Sequence, residues 1–193
     1  MNNWEPDNQV VSSGDEQLIL VDAHDREIGC LAKADAHRGD GTLHRAFSLF
    51  VFNPAGELLV QQRANGKRLW PGYWSNSCCS HPRRGETMNR AIHRRLWEEL
   101  GLRAELRFLF KFHYHAQYGR QGAEHELCWV YAGRSAERPQ PNAEEIAAWR
   151  YVTPQALQTE IAGAPETFTP WFKLEWARIS RTCPRPLDPM LPR

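Results

Sequence analysis

Residues 74–102 read WSNSCCSHPRRGETMNRAIHRRLWEELGL, and the rest of the chain is organised around them. The first part is turn-rich and carries Cys78, Cys79 and His81. The second, from about Glu86 to Leu100, is predicted to be a helix. Glu86 or Thr87 can start it, Met88, Ala91, Ile92 and Leu96 recur at helical spacing, and Gly101 can end it. Its last turn presents Glu98 and Glu99, with Arg94 and Arg95 one turn earlier. Thiols and an imidazole thus meet one end of a charge-rich element. That combination suits metal and diphosphate chemistry better than it suits a core.

Working outward, Ala46–Phe52 (AFSLFVF) is strongly β in composition, Asn53-Pro54-Ala55-Gly56 is a turn, and Glu57–Arg63 returns as the paired strand. Further strands are expected at Gln17–Val21, at Ile28–Lys33, as one or two strands over Ala104–His115, at Glu124–Ala132 and within Glu144–Val152. Asp35–His44 and Ala64–Trp74 read as loops, and Ala116–Ala123 as a turn region. Thr153 with Pro154 starts a short helix, and Pro170–Arg181 is a final amphipathic one. Mixed strands with a few helices, and no repeat or linker, predict one α/β (α+β) domain over 17–181. A flexible segment is expected at 1–16 and a proline-rich tail at 182–193.

A chain of 193 residues with 41% hydrophobic content can bury one sizeable core. The formal net charge of +1 argues against a broad grip on nucleic acid or membrane. No apolar run approaches a membrane span, and the polar start lacks a signal-peptide pattern, so a cytoplasmic protein is expected. The five cysteines are odd in number and unevenly spaced, which fits free thiols in a reducing compartment. Oligomeric state is left open.

His37 and His44 flank a glycine-containing loop, His81 follows Cys79, and Glu124 and Glu126 alternate onto one strand face. Three imidazoles and two carboxylates form a mixed N/O site suited to Mn, Zn, Fe or Mg rather than a structural zinc. His24, His93, His113, His115 and His125 are read as ordinary surface or capping residues. Cys79 has two readings of equal weight: a small buried hydrophobe, or a reactive thiol favoured by the candidate ligand beside it and the helix that follows. Cys30, Cys128 and Cys183 read as small buried hydrophobes. Lys33, Arg63, Lys67, Arg68 and Arg95 each read by default as solvated surface charges, yet Arg63, Lys67 and Arg68 cluster in one loop, and a diphosphate needs several such cations. Of the eight tryptophans, Trp70, Trp74 and Trp171 lie near loops, where a ring face can meet a cation.

At these residues the chain resembles a known family. The central stretch is similar to a Nudix box, G-x5-E-x7-R-E-U-x-E-E-x-G-U with U aliphatic, read here as Ser80, Glu86, Arg94, Arg95, Leu96, Glu98, Glu99, Gly101 and Leu102. Ser80 replaces the first glycine and Arg95 an acid. Within that superfamily the landmarks AHRGDGTLHRAFS, WPGYWSNSCCSHP, the degenerate box, the Tyr114 region, EHELCWVY and FTPWF resemble type I isopentenyl diphosphate isomerase. The resemblance implies a Nudix-like mixed β-sheet sandwiched between helices. It implies isomerisation of isopentenyl to dimethylallyl diphosphate through a tertiary carbocation, in isoprenoid biosynthesis. His37, His44, His81, Glu124 and Glu126 match ligands of a divalent ion, Mn2+, Zn2+ or Mg2+. Glu99 matches a carboxylate holding a second ion, Mg2+, that bridges to the diphosphate. Cys79 and Glu126 match the catalytic pair and Tyr114 an assisting tyrosine. Lys33, Arg63, Lys67 and Arg95 match diphosphate-binding positions, and Trp171 an aromatic lid over the hydrocarbon. The rival readings are a Nudix diphosphate hydrolase and a non-enzymatic metal-binding module.

Overall fold

The computed structural model describes residues 10–182. The chain lays down strands β1 (Gln17–Val21) and β2 (Glu27–Ala32), a one-turn helix α1 (Lys33–Ala36), and strands β3 (His44–Phe52), β4 (Leu58–Arg63), β5 (Trp74–Ser75) and β6 (Cys78–Ser80). Helix α2 (Met88–Leu100) follows, then β7 (Glu105–Tyr118), β8 (Gly122–Arg134), β9 (Ile146–Val152), α3 (Pro154–Gly163) and α4 (Pro170–Thr182). Among the described residues all nine strands join one mixed sheet.

Strand β3 decides the layering. It is apolar on both faces, as a strand covered on both sides must be. Ala46, Phe50 and Phe52 pack with Leu157 of α3 and Phe172, Trp176 and Ile179 of α4. Phe47, Leu49 and Val51 turn the other way, onto Ala91, Ile92, Leu96 and Leu100 of α2. The sheet is therefore sandwiched between helices. Phe47 and Phe50 are 0% exposed, and burying each such ring contributes about 1.5–3 kcal/mol.

The pairing of β3 also positions the chemistry. It runs parallel to β8, with His44 opposite Glu126, and antiparallel to β6, with Ser48 opposite Cys79. On its other edge β8 pairs with β7, placing Tyr114 opposite Glu126. Helix α2 is capped at both ends. The Thr87 side chain accepts from the Arg90 amide at 3.3 Å, and Gly101 takes the left-handed conformation at φ 61°.

The structure departs from the sequence reading in several places. Cys78–Ser80, read as part of a turn-rich loop, pairs with β3 as strand β6. The stretch expected to be a loop from Asp35 begins within α1. The turn expected from Ala116 shrinks to a tight one after Tyr118, because cross-strand pairing with β8 carries β7 on to Tyr118↔Gly122. Residues 10–16, the described part of the segment expected to be flexible, make specific contacts. The amides of Lys33 and Ala34 donate to the carbonyls of Glu16 and Gly14, both at 2.9 Å, and Glu16 pairs with Arg83. The proline-rich tail from 183 onward lies outside the described residues. No helix among the described residues is long and apolar enough to cross a membrane.

Candidate active site

Four segments bring five residues into one buried cluster. His37 caps α1, His44 opens β3, His81 follows β6, and Glu124 and Glu126 lie on β8. One ligand atom from each lies within 4.8 Å of the others. The set is 0–7% exposed for His37, His44, Glu124 and Glu126. His37 Nε2 sits 2.8 Å from Glu124 Oε2, His81 Nε2 2.9 Å from Glu126 Oε1, and His44 Nε2 3.7 Å from the same oxygen. His37 Nδ1 donates to the Lys33 carbonyl and His44 Nδ1 to the Thr42 carbonyl, each at 2.7 Å. Those bonds fix the tautomer and aim each Nε2 lone pair inward, as metal-bound imidazoles require. His44 Nε2 is buried with no hydrogen-bond partner, a costly state that a cation would relieve. The donor set therefore fits a divalent ion.

The electrostatics agree. Burial disfavours a charged His81, and the neighbouring His44 and His37 add to this, so its pKa falls well below the usual range. Burial also disfavours charge on His37, but Glu124 beside it outweighs this and raises it. For Glu126, burial opposes ionisation, yet the nearby His44 imidazole and the bond from Tyr114 hold it below its ordinary value. Gly122 makes the close approach possible. A Cβ there would lie 2.1 Å from the His37 carbonyl oxygen, which also accepts from the Ala123 amide at 3.1 Å.

The cluster opens into a cavity of about 330 Å³ that also has a basic lining, with Lys33, Arg63, Lys67 and Arg95 all on its wall. Each is held in place. Arg63 Nη2 and Nε donate to the Leu69 and Trp70 carbonyls at 2.9 and 3.1 Å. Arg95, 2% exposed, pairs with Glu99 at 2.5 Å, Glu98 at 3.0 Å and Glu145 at 3.2 Å. Lys67 pairs with Glu145, and Lys33 donates to Ser12 Oγ. Arg95 Nη1 also reaches the Val11 carbonyl at 2.9 Å. Burial pulls Lys33 down and brings Lys67 to about 7. Arg68 lies apart from this wall's ion pairs, donating to the carbonyls of Ala34 and Gln121. Glu99 sits behind Arg95, outside the five-ligand cluster.

Cys79 lines the same cavity, with Arg63 Nη1 at 3.8 Å from its sulfur. Burial pushes its thiol up to about 12, against the pull of Arg63. Cys78, its neighbour, turns to the α2 core and is fully buried. The Tyr114 hydroxyl donates to Glu126 Oε2 at 2.6 Å. Trp171, 2% exposed, is anchored by Nε1 bonds to Ser75 Oγ and Asn76 Oδ1 at 3.1 and 3.2 Å. The Arg63 guanidinium lies 5.3 Å from its ring centroid. The sequence reading missed Glu145, which stands at the head of a run of ambiguous periodicity and belongs to no motif. It also missed Val11 and Ser12, in a polar stretch with no periodic signal.

A NUDIX domain matches residues 42–172. Isopentenyl-diphosphate Delta-isomerase 1 of Photorhabdus laumondii subsp. laumondii is 46% identical over 166 residues, 85% of this chain and 94% of that protein. The chain belongs to the isopentenyl-diphosphate Delta-isomerases, within the Nudix superfamily. A second isomerase of this family, from Halorhodospira halophila, is 43% identical over 82% of this chain and 91% of its own length. The fold is shared more widely. A crystal structure from Deinococcus radiodurans covers 84% of the chain and 98% of its own length at a TM-score of 0.70 and 26% identity. A MutT protein from Methanosarcina mazei superposes at 0.60 with 18% identity, covering 72% of this chain and 94% of its own length. These structures share the sheet and its helices with this chain.

Proposed function

We propose that the chain interconverts isopentenyl and dimethylallyl diphosphate, with Cys79 and Glu126 exchanging the protons. One observation carries this reading: the cavity that receives the four cations also receives Cys79, Glu126, Tyr114 and Trp171. The diphosphate is bound by Lys33, Arg63, Lys67 and Arg95, whose charge-assisted donors suit phosphate oxygens. The short hydrocarbon then reaches toward Cys79, Tyr114 and the Trp171 ring.

The reaction adds a proton to the terminal alkene carbon, leaving a tertiary cation, and removes one two carbons away. No electrons are gained or lost overall. Cys79 enters as a thiol, since burial keeps its proton at neutral pH. Glu126 enters as a carboxylate, and the Tyr114 hydroxyl bonded to it gives a path for the proton. The Trp171 ring faces the cation, an interaction worth about 2 kcal/mol in a dry pocket. Burial around the pair keeps water from quenching it. His37, His44, His81, Glu124 and Glu126 would hold Mn2+, Zn2+ or Mg2+, which supplies positive charge that tunes the Glu126 carboxylate. Glu99 would hold a Mg2+ that neutralises diphosphate charge. The free thiols of the four described cysteines fit a cytoplasmic setting.

Arg95 argues against the hydrolase reading. Its guanidinium, paired with Glu98 and Glu99, puts positive charge where the Nudix box carries a third acid, so the helix has one carboxylate fewer for gathering ions and Glu99 is left to a single Mg2+. The deciding experiment is proton NMR of isopentenyl diphosphate with the Mg2+-loaded protein in deuterated buffer. Appearance of dimethylallyl methyl signals with deuterium incorporation is expected. An unchanged spectrum from folded, metal-loaded protein, or release of phosphate, would overturn the proposal.

A further inference from the structure

The outer face of β7 and β8 carries a second group of imidazoles that the isomerase chemistry does not use. His125 lies between Glu124 and Glu126 on β8, so strand alternation turns it away from the buried cluster. His115 is directly opposite it on β7, and His113 is two residues further along the same face. His113 and His115 are exposed and His125 is half-buried. The Nε2 atoms of His113 and His125 lie 2.9 Å apart, and their ring centroids 5.0 Å apart. His115 packs edge-on to His125 with centroids 5.1 Å apart.

We propose that His113 and His125 form a peripheral chelating site for a borderline divalent transition ion such as Ni2+, Cu2+ or Zn2+. Three features carry this. First, two donors at right angles about a metal, each at the usual metal–imidazole distance of about 2.0–2.1 Å, would stand about 2.9 Å apart, the separation observed. Second, His125 Nδ1 lies 3.2 Å from the Gly41 carbonyl. A proton on Nδ1 leaves Nε2 as the lone-pair nitrogen. The same arrangement, an Nδ1–H on a backbone carbonyl with Nε2 left to ligate, serves His37 and His44 in the buried cluster. Third, the site is open to solvent on the His113 side, so an ion can enter and complete its shell with water.

The donor chemistry sets the ion class. Two imidazoles with no carboxylate suit Ni2+, Cu2+ and Zn2+ and give Mg2+ nothing it prefers. His115 is a neighbour rather than a ligand, because its Nε2 is taken up at 2.7 Å by the Asp40 carbonyl. Asp40 and Gly41 belong to the loop joining His37 to His44. Occupancy outside therefore braces the loop that carries two inner ligands.

The test is calorimetric titration of Ni2+ into the full chain and into His113→Gln, both kept in excess Mg2+. The buried cluster is intact in both proteins and contributes equally. The unmutated chain is expected to bind one more Ni2+ than His113→Gln, or to bind that ion at least tenfold more tightly. Equal stoichiometry and equal affinity would overturn the site. A second readout needs no variant: substoichiometric Cu2+ should broaden the imidazole proton resonances of His113 and His125 before that of His24. Broadening of His24 first, or of all exposed histidines together, would equally refute it.

Discussion

Lys67 gives a prediction that depends on binding rather than on turnover. Its side chain is 22% exposed and lies against Glu145, with Arg63, Lys33 and Arg95 nearby. Burial dominates and brings its pKa from 10.5 to about 7. At pH 8 the free protein therefore carries Lys67 mostly neutral, about one-tenth protonated. An alkyl diphosphate is already ionised there, since the last ionisation of a phosphate ester lies near 6. Placing those charges against Lys67 restores its proton. Binding at pH 8 should thus take up about half to one proton from buffer at this residue. Calorimetry in two buffers of different ionisation heat measures the uptake, and Lys67→Met should reduce it by that amount. Lys33, also pulled down by burial, accounts for any remainder. The same shift has a sign for stability. Between about pH 7 and 10.5 the unfolded chain holds more protons on Lys67 than the folded one. The contribution of this residue to stability therefore rises with pH across that window. Uptake near zero, or uptake unchanged in Lys67→Met, would refute the reasoning.

Three further outcomes are expected. Tyr114→Phe removes a bond to a carboxylate worth about 1.5–3 kcal/mol, moving the Glu126 midpoint up. Because that midpoint is depressed in the folded protein, its stabilisation is full above the ordinary carboxylate range and fades on acidification, earlier in the variant; a carbon-13 titration of Glu126 in chelator-treated protein measures this, and an unmoved midpoint counts against it. Cys79, with a thiol near 12 against an ordinary 9.0, should be alkylated at pH 8 on the order of 10³-fold more slowly than an unperturbed thiol; alkylation kinetics against a short unstructured cysteine peptide read the ratio, and equal rates would contradict the burial argument. Gly122→Ala drives a Cβ into the His37 carbonyl, costing about 1–3 kcal/mol by denaturation and weakening metal binding, whereas unchanged affinity would show that this backbone contact does not set the ligand geometry.

The sequence carried the local part of this fold well. The α2 boundaries were legible because Thr87 and Gly101 have physical jobs at a helix end that few other residues do as cheaply. The five-residue cluster was legible as a set of ligand types, and the parallel register His44↔Glu126 is what joins them. That register was not legible, since nothing in AFSLFVF or EHELCWVY says which edge meets which. The length of β7 was missed for a similar reason. Ala116 and Gln117 have no strong strand propensity, and their pairing with Glu124 and Ala123 supplies what propensity does not. The three outer histidines were read one at a time as ordinary residues; only the cross-strand geometry puts two of them within ligand distance of each other.

Arg95 shows how a departure from a motif can be more informative than the motif. In a helix, positions 95, 98 and 99 share one face. Acids at all three would repel one another and call for ions to hold them. An arginine at 95 instead bonds to Glu98 and Glu99 on its own helix and reaches Glu145, leaving its charge partly neutralised within a basic wall. A buried guanidinium so held is expensive to leave unpaired, which explains why Glu145, Glu99 and the Val11 carbonyl gather around it. The arginine therefore takes one acid away from α2 and adds a fixed donor to the cavity. The five-residue cluster that could hold a divalent ion is built instead from β3, β8, the residue after β6 and the end of α1. In the proposed reaction α2 keeps Glu99 for the diphosphate-side ion, and the proton-transfer groups lie on the sheet.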